Sequence, residues 1–321
     1  MKSQNYLYSF ILVIGSGFLY NRYKKQNEED EGMQQYALVK KYLLNDSSLA
    51  KSKKPIIWIH MTYDVNARWW PSFNSRNTTD LNQPYIYLIL KSIIDMCGKN
   101  FHICLIDDDT FSNILPGWTV DLNMVANPIK TKIRELALAK VLYNYGGFLV
   151  PNSFLCFQDL SQTYLDCTRN NKMFVGELID RNSTSNQVNY FPNTKIMGCE
   201  KECMMMKEYI AYLETLNSTD FTDESNFLGA SARWCNEKIQ HGQMNLLPGE
   251  NLGVKDIMER PVTLERLMGN TFIDLHGLVK GLYIPADELL RRTAFQWFAR
   301  LSAKQALETD TIIGKYLVIA R

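Results

Sequence analysis

Several signatures of well-known chemistry are missing from this 321-residue chain. It has no Walker loop, no Gly-x-Gly-x-x-Gly fingerprint, no nucleophile elbow and no internal repeat, so P-loop NTPases, dinucleotide-binding dehydrogenases, α/β-hydrolases and solenoids are poor descriptions. Net charge is almost absent: 35 basic against 34 acidic side chains leave +1, which gives no reason to expect nucleic acid as a partner. The seven cysteines are odd in number and form no Cys-x-x-Cys, so they do not make a disulfide framework. Cys199 and Cys203 are spaced to share a helix face, and reduced thiols lean towards a cytosolic setting without deciding it. The four histidines, His60, His102, His241 and His276, are scattered, which argues against zinc. What is present is a core: 46% hydrophobic and 12% aromatic residues are globular values.

The N-terminus carries one uncharged apolar run, Tyr6 to Tyr20, with Lys2 before it and Arg22, Lys24 and Lys25 after it. Residues 1–23 are expected to be a single-pass membrane anchor, a cleaved signal peptide or a buried helix being the alternatives. The excess of positive charge after the run would keep the bulk of the chain in the cytosol, whereas a lumenal enzyme needs the reverse, so the side of the membrane stays open. Residues 24–54 are charged and polar and read as a stem. A single α/β domain is expected over residues 55–321.

That domain opens with a buried strand, Ile56 to His60. In the loop that follows, Trp69 and Trp70 beside Arg68 could stack on a base or sugar, or simply pack. A helix runs between Pro84 and Gly98 with an apolar stripe of Ile86, Ile89, Leu90, Ile93, Ile94 and Cys97, and a second strand covers Phe101 to Ile106. Strand, helix, strand at this length is a βαβ unit, which predicts a parallel sheet. The second strand runs into Asp107-Asp108-Asp109. Asp107 and Asp109 are spaced as a metal-binding pair at a strand end; the plainer alternative is an acidic turn in which Asp109 caps a helix at Thr110.

The most informative stretch is Thr131 to Leu160. Ile133, Leu136, Ala137, Val141, Leu142 and Tyr145 recur at helical spacing, with Lys132, Arg134, Glu135 and Asn144 largely between them. Gly146 and Gly147 end that helix, Gly146 being expected at positive φ. Phe148 to Val150 and Phe154 to Phe157 read as strands. Met173 to Leu178 is another, closed by Glu177 and Asp180, which are candidates for a general base or an acceptor-orienting carboxylate. A strand over Tyr190 to Gly198 is followed by helices at about 201–216 and 224–240, the second capped by Thr222 and holding Trp234 in the core. Short strands are expected at Leu246-Leu247-Pro248-Gly249, Phe272 to His276 and Gly281 to Pro285, and one long amphipathic helix over Ala286 to Leu307.

Leu142-Tyr143-Asn144-Tyr145-Gly146-Gly147-Phe148 resembles the Leu-Tyr-x-Tyr-Gly-Gly-Ile signature of sugar transferases with an Asp-x-Asp sugar-binding region, a group that includes initiating mannosyltransferases and capsular polysaccharide synthesis proteins. The resemblance spans Lys54 to Leu160. It implies a GT-A-like α/β fold with a mixed, mostly parallel sheet flanked by helices. The implied reaction moves a sugar from a nucleotide sugar to a hydroxyl on a glycan or protein acceptor. In that group two carboxylates hold Mn2+ or Mg2+, which holds the donor diphosphate. Here Pro151 and Ser153 stand at those two positions, with Asn152 between them, and Glu135 and Leu138 replace an Asp and an Arg of the preceding helix. On this resemblance Asp107 and Asp109, or Asn152 and Ser153, would lie by the donor phosphates and Glu135 by the nucleoside, with Gly146 and Gly147 among the substrate-binding residues and Asp107 and Asp109 the remaining metal candidates. The same departures make a degenerate, membrane-tethered binding or structural protein the alternative to an active enzyme.

Overall fold

The computed structural model describes residues 54–61, 83, 85–180, 188–218 and 224–320, with the side chains of 224–228 excepted. The expected anchor and stem, Arg68, Trp69 and Trp70, and the Thr222 cap lie outside the described residues. No described helix is long and apolar enough to cross a membrane.

Two units separate by contacts, Lys54–Asp108 with Leu122–Arg321 and Asp109–Asp121 with the undescribed N-terminal residues. The larger unit contains β1 (Ile56–His60), α1 (Ile86–Cys97) and β2 (His102–Ile106). α2 (Thr110–Ile114) belongs to the smaller unit, where the rings of Phe111 and Trp118 lie 6.0 Å apart. The larger unit resumes with α3 (Ile129–Tyr145), β3 (Gly147–Leu149), β4 (Phe154–Cys156), α4 (Ser161–Cys167), β5 (Phe174–Ile179) and β6 (Tyr190–Cys199). It continues through α5 (Met204–Ser218), α6 (Glu224–Gln240), β7 (Asn245–Leu247), α7 (Leu264–Met268) and β8 (Gly281–Tyr283). The chain ends in α8 (Ala286–Arg291), α9 (Gln296–Ala299), α10 (Ala303–Leu307) and α11 (Ile312–Ile319).

The main sheet has the order β2-β1-β3-β6-β5-β7. β1 runs parallel to both β2 and β3, and β5 runs parallel to β7. β6 is antiparallel to β3 on one side and β5 on the other, so it alone is reversed. The expected mixed, mostly parallel sheet is what forms. β4 and β8 make a separate antiparallel pair. α3 packs on α5, α6 on β6, and α1 on β4.

The βαβ expectation holds at β1-α1-β2, with Ile86, Ile89, Leu90, Ile93 and Cys97 buried on α1. Each buried isoleucine contributes about 2 kcal/mol of transfer free energy. Ile94 was expected in that stripe but is exposed; Ser92 is buried in its stead, because its hydroxyl donates to the Ile89 carbonyl and accepts from the Cys156 N–H.

Gly146 and Gly147 have φ of +70° and +110°, the conformation that lets α3 stop and β3 start without a loop. A Cβ at Gly146 would lie 2.7 Å from the Lys201 nitrogen, and one at Gly147 would strike the Ile56 carbonyl oxygen. The Trp58 indole donates to the Gly146 carbonyl at 2.9 Å, locking the bend to β1.

Four expectations are corrected. Ala286 to Leu307 is three short helices: Arg292 turns extended after α8, and the Ser302–Gln305 capping box starts α10 afresh. Lys132 was placed on the polar side of α3 and is buried. Trp234 is half-buried, packed on Tyr209 and Tyr212 with the Lys238 ammonium 5.2 Å above its ring. Phe272 to His276 forms no strand: Phe272 is exposed, and only Leu275 bridges, to Asp256.

Candidate functional site

Because five of the six strands share one direction, their C-terminal ends form a common edge, the place where open α/β sheets gather ligand groups. Across it come Asp107 and Asp108 after β2, His60 at the end of β1, Pro151 to Ser153 after β3, Glu177 to Asp180 at the end of β5, and Pro248-Gly249 after β7. Neighbouring strands are about 4.8 Å apart, so β1 and β5 are separated by about 14 Å. The double glycine creates this arrangement by setting β3 beside β1, with Val150 N–H bonded to the Trp58 carbonyl.

The middle aspartate of the acidic triplet carries the contacts at the β2 end. Arg134 grips Asp108 with two hydrogen bonds, Nε to Oδ1 at 2.7 Å and Nη2 to Oδ2 at 2.6 Å. His60 Nε2 lies 2.9 Å from Oδ1 and Lys130 Nζ 3.7 Å from Oδ2. Burial pushes the Asp108 carboxyl up, but the Arg134 and His60 hydrogen bonds outweigh it and hold the group well below the usual carboxylate range. His60 is thus a hydrogen-bonded histidine. Of the flanking pair, Asp107 is half-buried in the larger unit. Asp109 is exposed and opens α2, where its side chain makes no cap bond but its carbonyl accepts from Ser112.

Glu135, one residue beyond Arg134, points into the protein. Its Oε2 accepts from Lys132 Nζ at 2.9 Å and Ser231 Oγ at 3.2 Å; its Oε1 accepts from Thr194 Oγ1 at 2.5 Å and Tyr209 Oη at 2.6 Å. Burial raises this carboxyl, and Lys132 with the hydroxyl donors lowers it further, so it remains an anion. Both oxygens are committed to a network joining α3, β6, α5 and α6.

Glu177 sits at the opposite end of the edge. Lys255 Nζ, at 2.8 Å, and the Gly249 N–H, at 2.9 Å, both hold its Oε2. The Lys255 ammonium also lies 4.4 Å from the centre of the Tyr190 ring. Asp180 is buried, and its N–H bonds the Asn189 carbonyl.

The positions that the resemblance assigns to Mn2+ or Mg2+ do not fit a divalent ion. Proline offers no side-chain donor. Ser153 is 4% exposed, and its carbonyl is taken by the Ile284 N–H. Among the described residues no group of three or more His, Cys, Asp or Glu side chains could hold a metal.

Sequence reasoning missed three participants. Asp108 was overshadowed by the Asp-x-Asp spacing of its neighbours. Lys195 gave no signal, since its position depends on strand register. Tyr283 was read only as part of a short strand. Lys195 Nζ lies 2.7 Å from Asp287 Oδ2 and 3.5 Å from Tyr283 Oη.

No protein-family model matches the chain, and no curated protein matches it. Among solved structures it is similar to a crystal structure of an active-site mutant of LgtC, a glycosyltransferase, at 12% identity and a TM-score of 0.29, over 55% of this chain and 69% of that one. A likeness at this level carries no functional weight.

Proposed function

We propose that this chain is a glycosyltransferase-type protein that takes a nucleotide sugar along the C-terminal edge of its sheet and passes the sugar to a hydroxyl of a glycan or protein acceptor. The observation that carries this reading is the Gly146-Gly147 bend, which sets β3 parallel to β1 and aligns positions 151–153 with His60, Asp108 and Glu177 on one edge. Asn152 and the backbone around Ser153 would face the donor phosphates. Glu177 is the candidate base: its two partners hold Oε2, and Oε1 is the oxygen that would take the acceptor proton.

Two measurements test this. A nucleotide sugar present at a hundredfold excess over its Kd should add about 2.7 kcal/mol to stability and raise the melting temperature. Glu177→Gln should cut turnover by about a hundredfold or more and leave donor binding intact. A panel of nucleotide sugars that never shifts the melting temperature would overturn the proposal. A second reading, binding without turnover, is favoured by the missing carboxylate pair at Pro151 and Ser153; donor binding with no product formed would be its signature.

A further inference from the structure

The β3–β6 register pairs Phe148 with Gly198 and Leu149 with Met197. Two residues beyond that last pair on β3 is Pro151, the first of the two positions at which the resemblance expects a metal-binding carboxylate, and two residues before Met197 on the antiparallel β6 is Lys195, where β6 bulges against β5. The second position, Ser153, is tied to the end of β8 by the bond from Ile284, whose neighbour Tyr283 lies within reach of Lys195. Side chains alternate along β6: Thr194 turns to Glu135 among the helices, and Lys195 turns the other way, to Tyr283 and Asp287. A fixed ammonium therefore lies beside Tyr283, whose strand partner Phe154 directly follows Ser153.

We propose that Lys195 replaces the divalent ion, making this edge a metal-independent site for the diphosphate of a nucleotide sugar; this rests on the donor reading above. Charge and access agree. The Tyr283 oxygen and the Asp287 carboxylate hold Lys195 above the ordinary lysine range despite its desolvation, so it is cationic at neutral pH. Its side chain is 48% exposed. Asp287, the ion-pair partner of Lys195, is itself 66% exposed, so a stronger anion can displace it. A lysine ammonium is a familiar phosphate ligand acting as a point charge, and it repels Mn2+ or Mg2+ from the same place. Proline at 151 is then not a lesion: where a lysine holds the phosphate, a carboxylate would compete with it.

The test is binding of UDP, GDP and inorganic pyrophosphate to the full chain, by calorimetry, in EDTA and in excess Mn2+. At least one of the three should bind, with affinities in EDTA and Mn2+ within about threefold of each other. Lys195→Ala should lose tenfold or more and Lys195→Arg should retain most of the affinity. Asp287→Asn, which removes the competing carboxylate, should bind several-fold more tightly. Circular dichroism and melting temperature should stay unchanged in the lysine variants, because the side chain is half in solvent. Binding that vanishes in EDTA, or that ignores Lys195→Ala, would overturn the proposal and spare the donor reading. Metal-free, Lys195-dependent binding of pyrophosphate alone would leave the anion site standing and remove the nucleotide. No binding of any probe would overturn both.

Discussion

Arg134 and Glu135 are consecutive on one helix and anchor two networks of opposite character. Glu135 takes four donors in the interior, and its ion pair with Lys132 has side-chain exposures of 11% and 7%. Asp108, gripped by Arg134, sits at the sheet edge beside His60 and Lys130. The first network is closed: every oxygen is spoken for and no cation is left over. The second lies at the mouth of the sheet, partly open to solvent, where Arg134 and Lys130 meet Asp108. Glu135 thus fixes helices to a sheet, whereas Asp108, held by Arg134, the residue before Glu135 on α3, ties that helix to the end of β2. What separates them is burial and the balance of charge around them.

The comparison breaks most sharply at Glu135. Glu135→Ala should cost about 3–5 kcal/mol in urea unfolding, because it strands the buried Lys132 ammonium. Pairing it with Lys132→Met should recover much of that loss, since removing both charges leaves nothing uncompensated. A double variant no more stable than Glu135→Ala would show that the hydroxyl donors, not the ion pair, dominate the network.

The shared scaffold comes next. Gly147→Ala should cost about 2–3 kcal/mol, since alanine is strained at a φ of +110° and its Cβ meets both the Ile56 carbonyl and the Trp58 indole. Gly146→Val should exceed about 1 kcal/mol for the same reason at a milder φ. Either substitution disturbs the β1–β3 alignment and so both networks together, and an unfolding free energy equal to wild type would refute the role given to the bend.

Much of the fold was legible because it follows from local chemistry. Apolar strand runs at Ile56, Phe101 and Tyr190 and the double glycine each have one physical solution. The C-terminal region was not, because amphipathic spacing persists across its breaks. Ser302 and Gln305 did supply a readable capping-box signal, and Thr311 accepts from the Gly314 N–H to begin the unforeseen α11. At the site, the strand frame was visible and its side-chain contacts were not. Asp108 is distinguished from Asp107 and Asp109 only by what α3 and β1 bring to it. Lys195 is selected by register, and register is a property of paired strands that a single sequence does not display.

The smallest effect is the most discriminating. Asp108→Asn should cost only about 1–2 kcal/mol, since the carboxylate is partly exposed and solvent screens its ion pairs. Its acid dependence has a definite sign. A carboxyl held below its ordinary value contributes stability that is complete above about pH 4 and is lost as pH falls from there towards the folded value. Asp108→Asn should therefore flatten the fall in stability below pH 4 without altering the plateau slope near neutrality. Salt separates the two networks. In 1 M salt the screening length is about 3 Å, so the penalty for Asp108→Asn should shrink, while that for Glu135→Ala, with its charges away from solvent, should stay nearly constant. Equal salt sensitivity in the two variants would mean that the edge network is as closed as the interior one.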